Sequence, residues 1–263
     1  MVLLSRALLA LPLLGSLALA DVVSQIQESA IPEKCGQNFC DGIQPIKGDP
    51  VQDKFFCKDC LCQNKWLGPK VIDTSGNWTE IFKGWEPFGG LCPRKWLNKW
   101  AKWDVKPWQD PKYPDHDGFK AGSLPGGPRV GSCVDRFGSP YGGFLAPLGT
   151  KYSARAIPPR NLNKYPDSPQ FDYYVYKVNK PFIAQQGEIA PWFEQPGGGI
   201  QWVVFPDMKD GLKYLVGNET IVPVNVEDCH EDGVVEWDEG ANAPSLEAWE
   251  SLEPAQGDPM FYH

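Results

Sequence analysis

The residues best suited to chemistry in this sequence are Asp135-Arg136-Phe137-Gly138-Ser139, Gly142-Gly143-Phe144-Leu145-Ala146-Pro147, Arg155 and Pro196-Gly197-Gly198-Gly199-Ile200-Gln201. An arginine presents a planar fork of donors matched to phosphate oxygens and keeps its charge near neutrality. Phe137 and Phe144 offer flat faces for an aromatic ring, and the amide of Gln201 can both donate and accept. Together they suit a ligand with phosphates, ribose and planar bases, which is the chemistry of a pyridine dinucleotide. Taken singly, each motif has a plainer reading. Asp135-Arg136 reads as a surface ion pair entering a hairpin, and Pro196 to Gly199 as a tight turn with positive φ. The glycine run also lacks the Gly-Lys-Ser/Thr that completes a phosphate-binding loop.

The order and gaps of these motifs, with Ala190-Pro191-Trp192-Phe193 among them, resemble the tuberculosis necrotizing toxin domain. The resemblance is closer still to the secreted fungal surface NAD glycohydrolases built on that domain, and it covers residues 125–226. It implies hydrolysis of the nicotinamide N-glycosidic bond of NAD, and of NADP, to nicotinamide and ADP-ribose or its phosphate. It assigns catalysis to Gln201, Arg136 and Arg155, and substrate contacts to Phe137, Phe144 and both arginines. The bacterial toxin pattern also holds a tyrosine, where this chain has Phe144, and a histidine that is not in register among His116, His230 and His263. The fungal relatives further imply a homodimer and a structural calcium near the C-terminal acidic segment, with no required cofactor.

The implied chemistry agrees with the residue types present. Nicotinamide leaves NAD as a neutral molecule from a pyridinium, so no acid need protonate it, unlike the alkoxide of ordinary glycosides. Two arginines on the pyrophosphate would hold the dinucleotide while Gln201 meets the reacting ribose or carboxamide. Glu194 and Asp135 are further candidates to face the developing cation. An ADP-ribosyl cyclase or transferase uses the same bond cleavage and is the rival enzyme reading. A wall or carbohydrate-binding protein using its tryptophans is the non-catalytic rival. No His-Glu-x-x-His or Gly-x-Ser-x-Gly motif occurs, and Asp115-His116-Asp117 reads as a solvated turn rather than a metal site.

Residues 1–20 read as a secretory signal, with Arg6, an apolar stretch and Ala18-Leu19-Ala20 before Asp21. No later run is apolar enough to span a membrane, and export to the cell surface or medium follows. In that oxidising setting Cys35, Cys40, Cys57, Cys60, Cys62, Cys92, Cys133 and Cys229 read as disulfide partners. Cys133 and Cys229 bracket the second half and suit one closing bridge, whereas Cys57 and Cys60 read as halves of two different bridges. Asn77 and Asn218 head glycosylation acceptor sequences. A net charge of −8 excludes general nucleic-acid or anionic-membrane binding.

The chain divides into residues 1–20, a Cys/Trp-rich region 21–124, a catalytic domain 125–226 and an acidic tail 227–263. The second region predicts loops and short helices, the best at Pro93 to Asp104, where Trp96, Trp100 and Trp103 line one face for core or dimer contact. Asp110 to Pro128 predicts a linker or surface loop. The catalytic domain predicts an α+β, mostly antiparallel fold. Its strand candidates are Val130–Arg136, Gly143–Ala146, Phe171–Val178, Phe182–Ile189, Gln201–Phe205 and Thr220–Val226. Alternation in Phe171–Tyr176 predicts one buried face and one amphipathic. Helical turns are expected near Tyr152–Ala156 and at Asp207–Val216 with Asp207 as cap. The tail reads as a solvated acidic segment, with Asp232-Gly233, Glu236, Asp238 and Glu239 as its best calcium ligands.

Overall fold

The computed structural model describes residues 24–26, 31–49, 55–140, 142–164, 169–204 and 211–229. The signal segment, Asp207 and the calcium candidates Asp232 to Glu239 lie outside these. Strands β1 (Ser24–Ile26) and β2 (Val71–Asp73) form a small antiparallel pair. The main sheet holds β3 (Leu124–Gly126), β4 (Cys133–Phe137), β5 (Phe144–Pro147), β6 (Tyr173–Val178), β7 (Ala184–Glu188), β8 (Ile200–Val203) and β9 (Ile221–Pro223). Their order is β3-β7-β8-β5-β4-β6-β9 and every pairing is antiparallel. This is the expected α+β class.

A strand forms at each expected place, its ends shifted by up to three residues, with Phe205 outside the described residues. Gly131 at φ 90° holds the chain out of β4 until Cys133, and Phe171 and Asp172 at φ 59° and 48° make a 3-10 turn before β6. Asp110–Pro128 is not merely a linker, because β3 within it pairs with β7. At the sheet edge a proline and a glycine are tolerated, since one side of the strand needs no ladder partner. The expected amphipathic face of β6 is also corrected. Tyr173 and Val175 enter one core cluster while Tyr176 and Val178 enter another, because both faces of this interior strand are covered.

One cover is α3 (Leu212–Gly217), whose Leu212 and Leu215 pack with Val134, Leu145, Tyr176 and Trp202. The other comes from the first region: Ile72, with Ile81 and Phe82 of α1 (Thr79–Phe82), joins Phe137, Tyr152, Phe171 and Tyr173. Helix α2 (Pro93–Trp100) starts with proline at its first turn, where no amide partner is lost. Trp96, Leu97 and the following Trp103 are buried in a third cluster, which answers the tryptophan stripe as core. Phe193, at the tip between β7 and β8, completes that cluster.

The cysteines pair as Cys35–Cys92, Cys40–Cys62, Cys57–Cys60 and Cys133–Cys229. The last is the expected closing bridge. Cys57 and Cys60 bond to each other rather than to separate partners, because a turn brings their Cα atoms to 5.5 Å and the other six cysteines are engaged. Asn77 and Asn218 are both exposed. No described helix is long and apolar enough to cross a membrane.

Candidate functional site

Strand register decides which candidates share a face. Asp135 pairs with Ala146 on β5, Leu145 with Trp202, and Gln201 with Gly187 on β7, so Asp135, Ala146, Gln201 and Gly187 form one cross-strand row. Side chains alternate along a strand, so Arg136 leaves from the opposite face, with Leu145 and Trp202. The structure therefore brings Asp135, Arg155, Phe144 and Gln201 to one side, and Arg136 approaches the end of the β4–β5 hairpin from the other.

Asp135 is fully buried and accounts for much of the order on the first side. Its carboxylate accepts from Tyr173 Oη at 2.6 Å and from the Gly149 amide at 2.9 Å, and it pairs with Arg155 Nη2 at 2.5 Å. Burial nonetheless pushes the Asp135 carboxyl above its ordinary range, with Arg155 and Tyr173 opposing that shift. The Tyr173 hydroxyl is pushed up by the same burial and by Asp135. Arg155 also donates Nε to the Thr150 carbonyl at 2.9 Å and lies over the Phe137 ring, 5.1 Å from its centroid. Phe137 is itself buried, edge-on to Tyr152, so it props the arginine from below. Phe144, at 44 % exposure, is the ring of the pair that is open to solvent.

The glycine run ties the turn that carries Arg155 to the start of β8. Arg155 sits on a 3-10 turn, Ser153–Arg155, and the Gly199 amide donates to the Ala154 carbonyl of that turn at 3.0 Å. A Cβ on Gly199 would stand 2.9 Å from that same carbonyl oxygen, so a side chain there would part the turn from β8.

Arg136 is buried and donates Nη1 to the Phe144 carbonyl at 2.8 Å, while its Nε has no hydrogen-bond partner among the described residues. It makes no ion pair among the described residues. Burial pulls this guanidinium down to about 10, so at neutral pH it is a protonated cation without a carboxylate. Gly142 makes room for it, since a Cβ there would stand 2.2 Å from Nη2. The geometry thus holds one arginine compensated by Asp135 and one that a phosphate would compensate.

The remaining candidates are placed elsewhere. Glu194 is engaged by Lys99 of α2, and Asp135 is spent on Arg155, so neither is left to face a substrate cation. No cluster of three or more metal-ligating side chains occurs among the described residues, His116 and its neighbours included. Two features had no usable signal in the sequence. Gln201 Nε2 donates to the Asp117 carbonyl at 2.7 Å. Arg160 is buried between the rings of Phe55 and Tyr113 and pairs with Asp110 at 2.9 Å. Asp117 and Asp110 both lie in the stretch that reads as a loop, and neither contact leaves a local pattern.

The fold and these residues define a class, and the comparisons name it: the profile described as tuberculosis necrotizing toxin matches residues 129–235, a stretch that contains Arg136, Phe137, Phe144, Arg155 and Gln201. The chain belongs to this family. It is 37 % identical over 192 residues to the conidial surface nicotinamide adenine dinucleotide glycohydrolase nadA of Aspergillus fumigatus, covering 69 % of this chain and 76 % of that protein. Tuberculosis necrotizing toxin, in its complex with the immunity factor IFT, aligns with a TM-score of 0.45 and 16 % identity over 69 % of this chain and 90 % of that one.

Proposed function

We propose that this protein is an NAD glycohydrolase that acts at the cell surface or outside the cell. The observation that carries the reading is the 37 % identity to a curated NAD glycohydrolase over 69 % of the chain. In the reaction the bond from ribose C1′ to the pyridinium nitrogen breaks, and its electron pair stays on the departing nicotinamide. Water adds at C1′ and loses a proton, giving ADP-ribose. NADP is a substrate on the same terms, and no redox cofactor takes part.

Arg136 supplies the charge for the pyrophosphate, supported by its burial with no ion-pair partner among the described residues. Arg155 holds the adjoining wall, and Phe144 offers a ring face to a base. Gln201 acts at the reacting ribose or carboxamide. A homodimer and a calcium ion near the acidic segment rest on resemblance to the fungal enzymes. Sizing by light scattering, and activity before and after calcium chelation, test those two.

The central test incubates the protein with NAD and separates nicotinamide, ADP-ribose and cyclic ADP-ribose by chromatography. Nicotinamide and ADP-ribose are expected in equal amounts, with kcat lowered roughly 10²–10³-fold in Gln201→Ala. A cyclic or protein-linked product would move the reading to the cyclase or transferase. No turnover of NAD or NADP would leave the carbohydrate-binding rival in the lead.

A further inference from the structure

The family-matched stretch does not hold Gln201 by itself. Its Nε2 donates to the Asp117 carbonyl, 84 residues away in sequence, and Oε1 has no hydrogen-bond partner among the described residues. An amide held by its NH2 end presents its oxygen as an acceptor. Asp117 belongs to a strap, residues 110–122, that precedes the matched residues 129–235. The strap is tied down along its length. Lys112 O accepts from Trp192 Nε1 at 2.8 Å, Tyr113 Oη donates to Asn161 at 2.9 Å, Gly118 O accepts from the Ala190 amide at 2.8 Å, and the Lys120 amide donates to Glu188 O at 2.9 Å. The Phe119 ring lies against Gly187, the register partner of Gln201. His116 and Asp117 stand at φ 55° and 53°, a conformation that non-glycine residues keep only where the surroundings impose it.

We propose that the Asp117 carbonyl is the positioning group for Gln201: by taking the amide NH2 it fixes the side-chain oxygen toward a donor group of the bound dinucleotide. The strap thereby completes a site whose other parts lie in the matched domain. The inference rests on Gln201 being the working glutamine of the glycohydrolase proposed above. A backbone carbonyl cannot be deleted by substitution, so it is reached from its two neighbours, the strap glycine and the glutamine.

Gly118 and Gly122 both stand at positive φ on this strap, at 78° and 87°. A Cβ on Gly118 would lie 3.1 Å from Pro114 Cγ and 3.8 Å from Gln201 Nε2, whereas one on Gly122 meets nothing within 4 Å. Backbone strain is therefore common to Gly118→Ala and Gly122→Ala, and only the first disturbs the hold on Gln201. Gly118→Ala is expected to lower kcat about 10- to 100-fold with KM within about twofold, because small misplacements of a working group are costly. Gly122→Ala should match the parent protein. Gln201→Glu gives a second reading that does not depend on Gly118→Ala folding. An ionised carboxylate cannot donate to Asp117 O, but the protonated acid can, and burial beside a carbonyl raises its pKa above the ordinary value of about 4.3. Turnover by Gln201→Glu should therefore climb as pH falls through that raised value.

Equal kinetics for Gly118→Ala and Gly122→Ala, or a Gln201→Glu profile that stays at the level of Gln201→Ala at every pH, would overturn the positioning role and leave the glycohydrolase intact. Parent-level turnover by Gln201→Ala would instead overturn the glycohydrolase site, and this inference with it.

Discussion

Arg136 and Arg155 are nineteen positions apart and chemically identical, yet their surroundings give them different work. Arg155 answers a carboxylate that has no exposure to water, so Arg155→Ala strands the Asp135 charge or forces its protonation. Breaking one side of a buried pair costs about 3–5 kcal/mol, and substrate binding weakens in addition. Arg136 has no carboxylate partner among the described residues, so Arg136→Met removes a desolvated charge and should change stability far less, while KM for NAD rises. Denaturant unfolding of the two variants checks the contrast. Equal losses of stability would mean that Arg136 has a structural partner like that of Arg155. The arginines stand out in the sequence as candidate phosphate ligands, but their different surroundings do not, because these depend on Asp135 lying under one of them and beside the other in the chain.

At the scale of elements, period-2 alternation and glycine punctuation located every strand of the matched domain to within a few residues. What they missed was β3, whose Leu124-Pro125-Gly126 has a turn composition and becomes a strand only because the edge of β7 stands ready. The hairpin tip between β7 and β8 carries the same lesson. Phe193 and Glu194 sit at φ 51° and 62°, and Phe193 is driven into the tryptophan cluster of the first region, against Trp96, Trp100 and Tyr113. Its burial is complete, and Trp96 Nε1 reaches back to its carbonyl at 3.4 Å. Phe193→Ala should cost about 3–5 kcal/mol, read as a lowered unfolding midpoint, since it empties a ring-sized space between two elements. A loss under about 1 kcal/mol would show that the site closes over, as poorly packed positions do.

For the whole molecule, the first region is bound to the sheet by polar as well as apolar contacts. Asn163 donates to the carbonyls of Phe55 and Lys65 at 2.9 and 2.8 Å, and Asp110 links Arg160 to Trp66 Nε1. Burial works to raise the Asp110 carboxyl, but Arg160 and, more weakly, Lys65 and Trp66 prevail and hold it below its ordinary value. A carboxylate lowered in the folded state contributes stability that is full above its unfolded pKa of about 3.9 and disappears as pH falls through the folded value. The melting temperature of the parent should therefore fall more steeply than that of Asp110→Asn as pH drops below about 4. Parallel acid limbs would remove Asp110 from the coupling of the two regions.

Local pattern in the sequence was enough for the family, the antiparallel α+β class and the disulfide-stapled first region, and it singled out the candidate residues for a dinucleotide. All of these are carried by local pattern: motif order, alternation, cysteine count and side-chain type. Folding was needed to show that Arg136 and Gln201 leave opposite faces of the sheet, that Cys57 meets Cys60, that Phe137 lies buried beneath Arg155, and that a stretch reading as a linker takes the amide of Gln201. These depend on register and on contacts between residues up to about a hundred positions apart, whose partners carry no mark of one another until the backbone has folded.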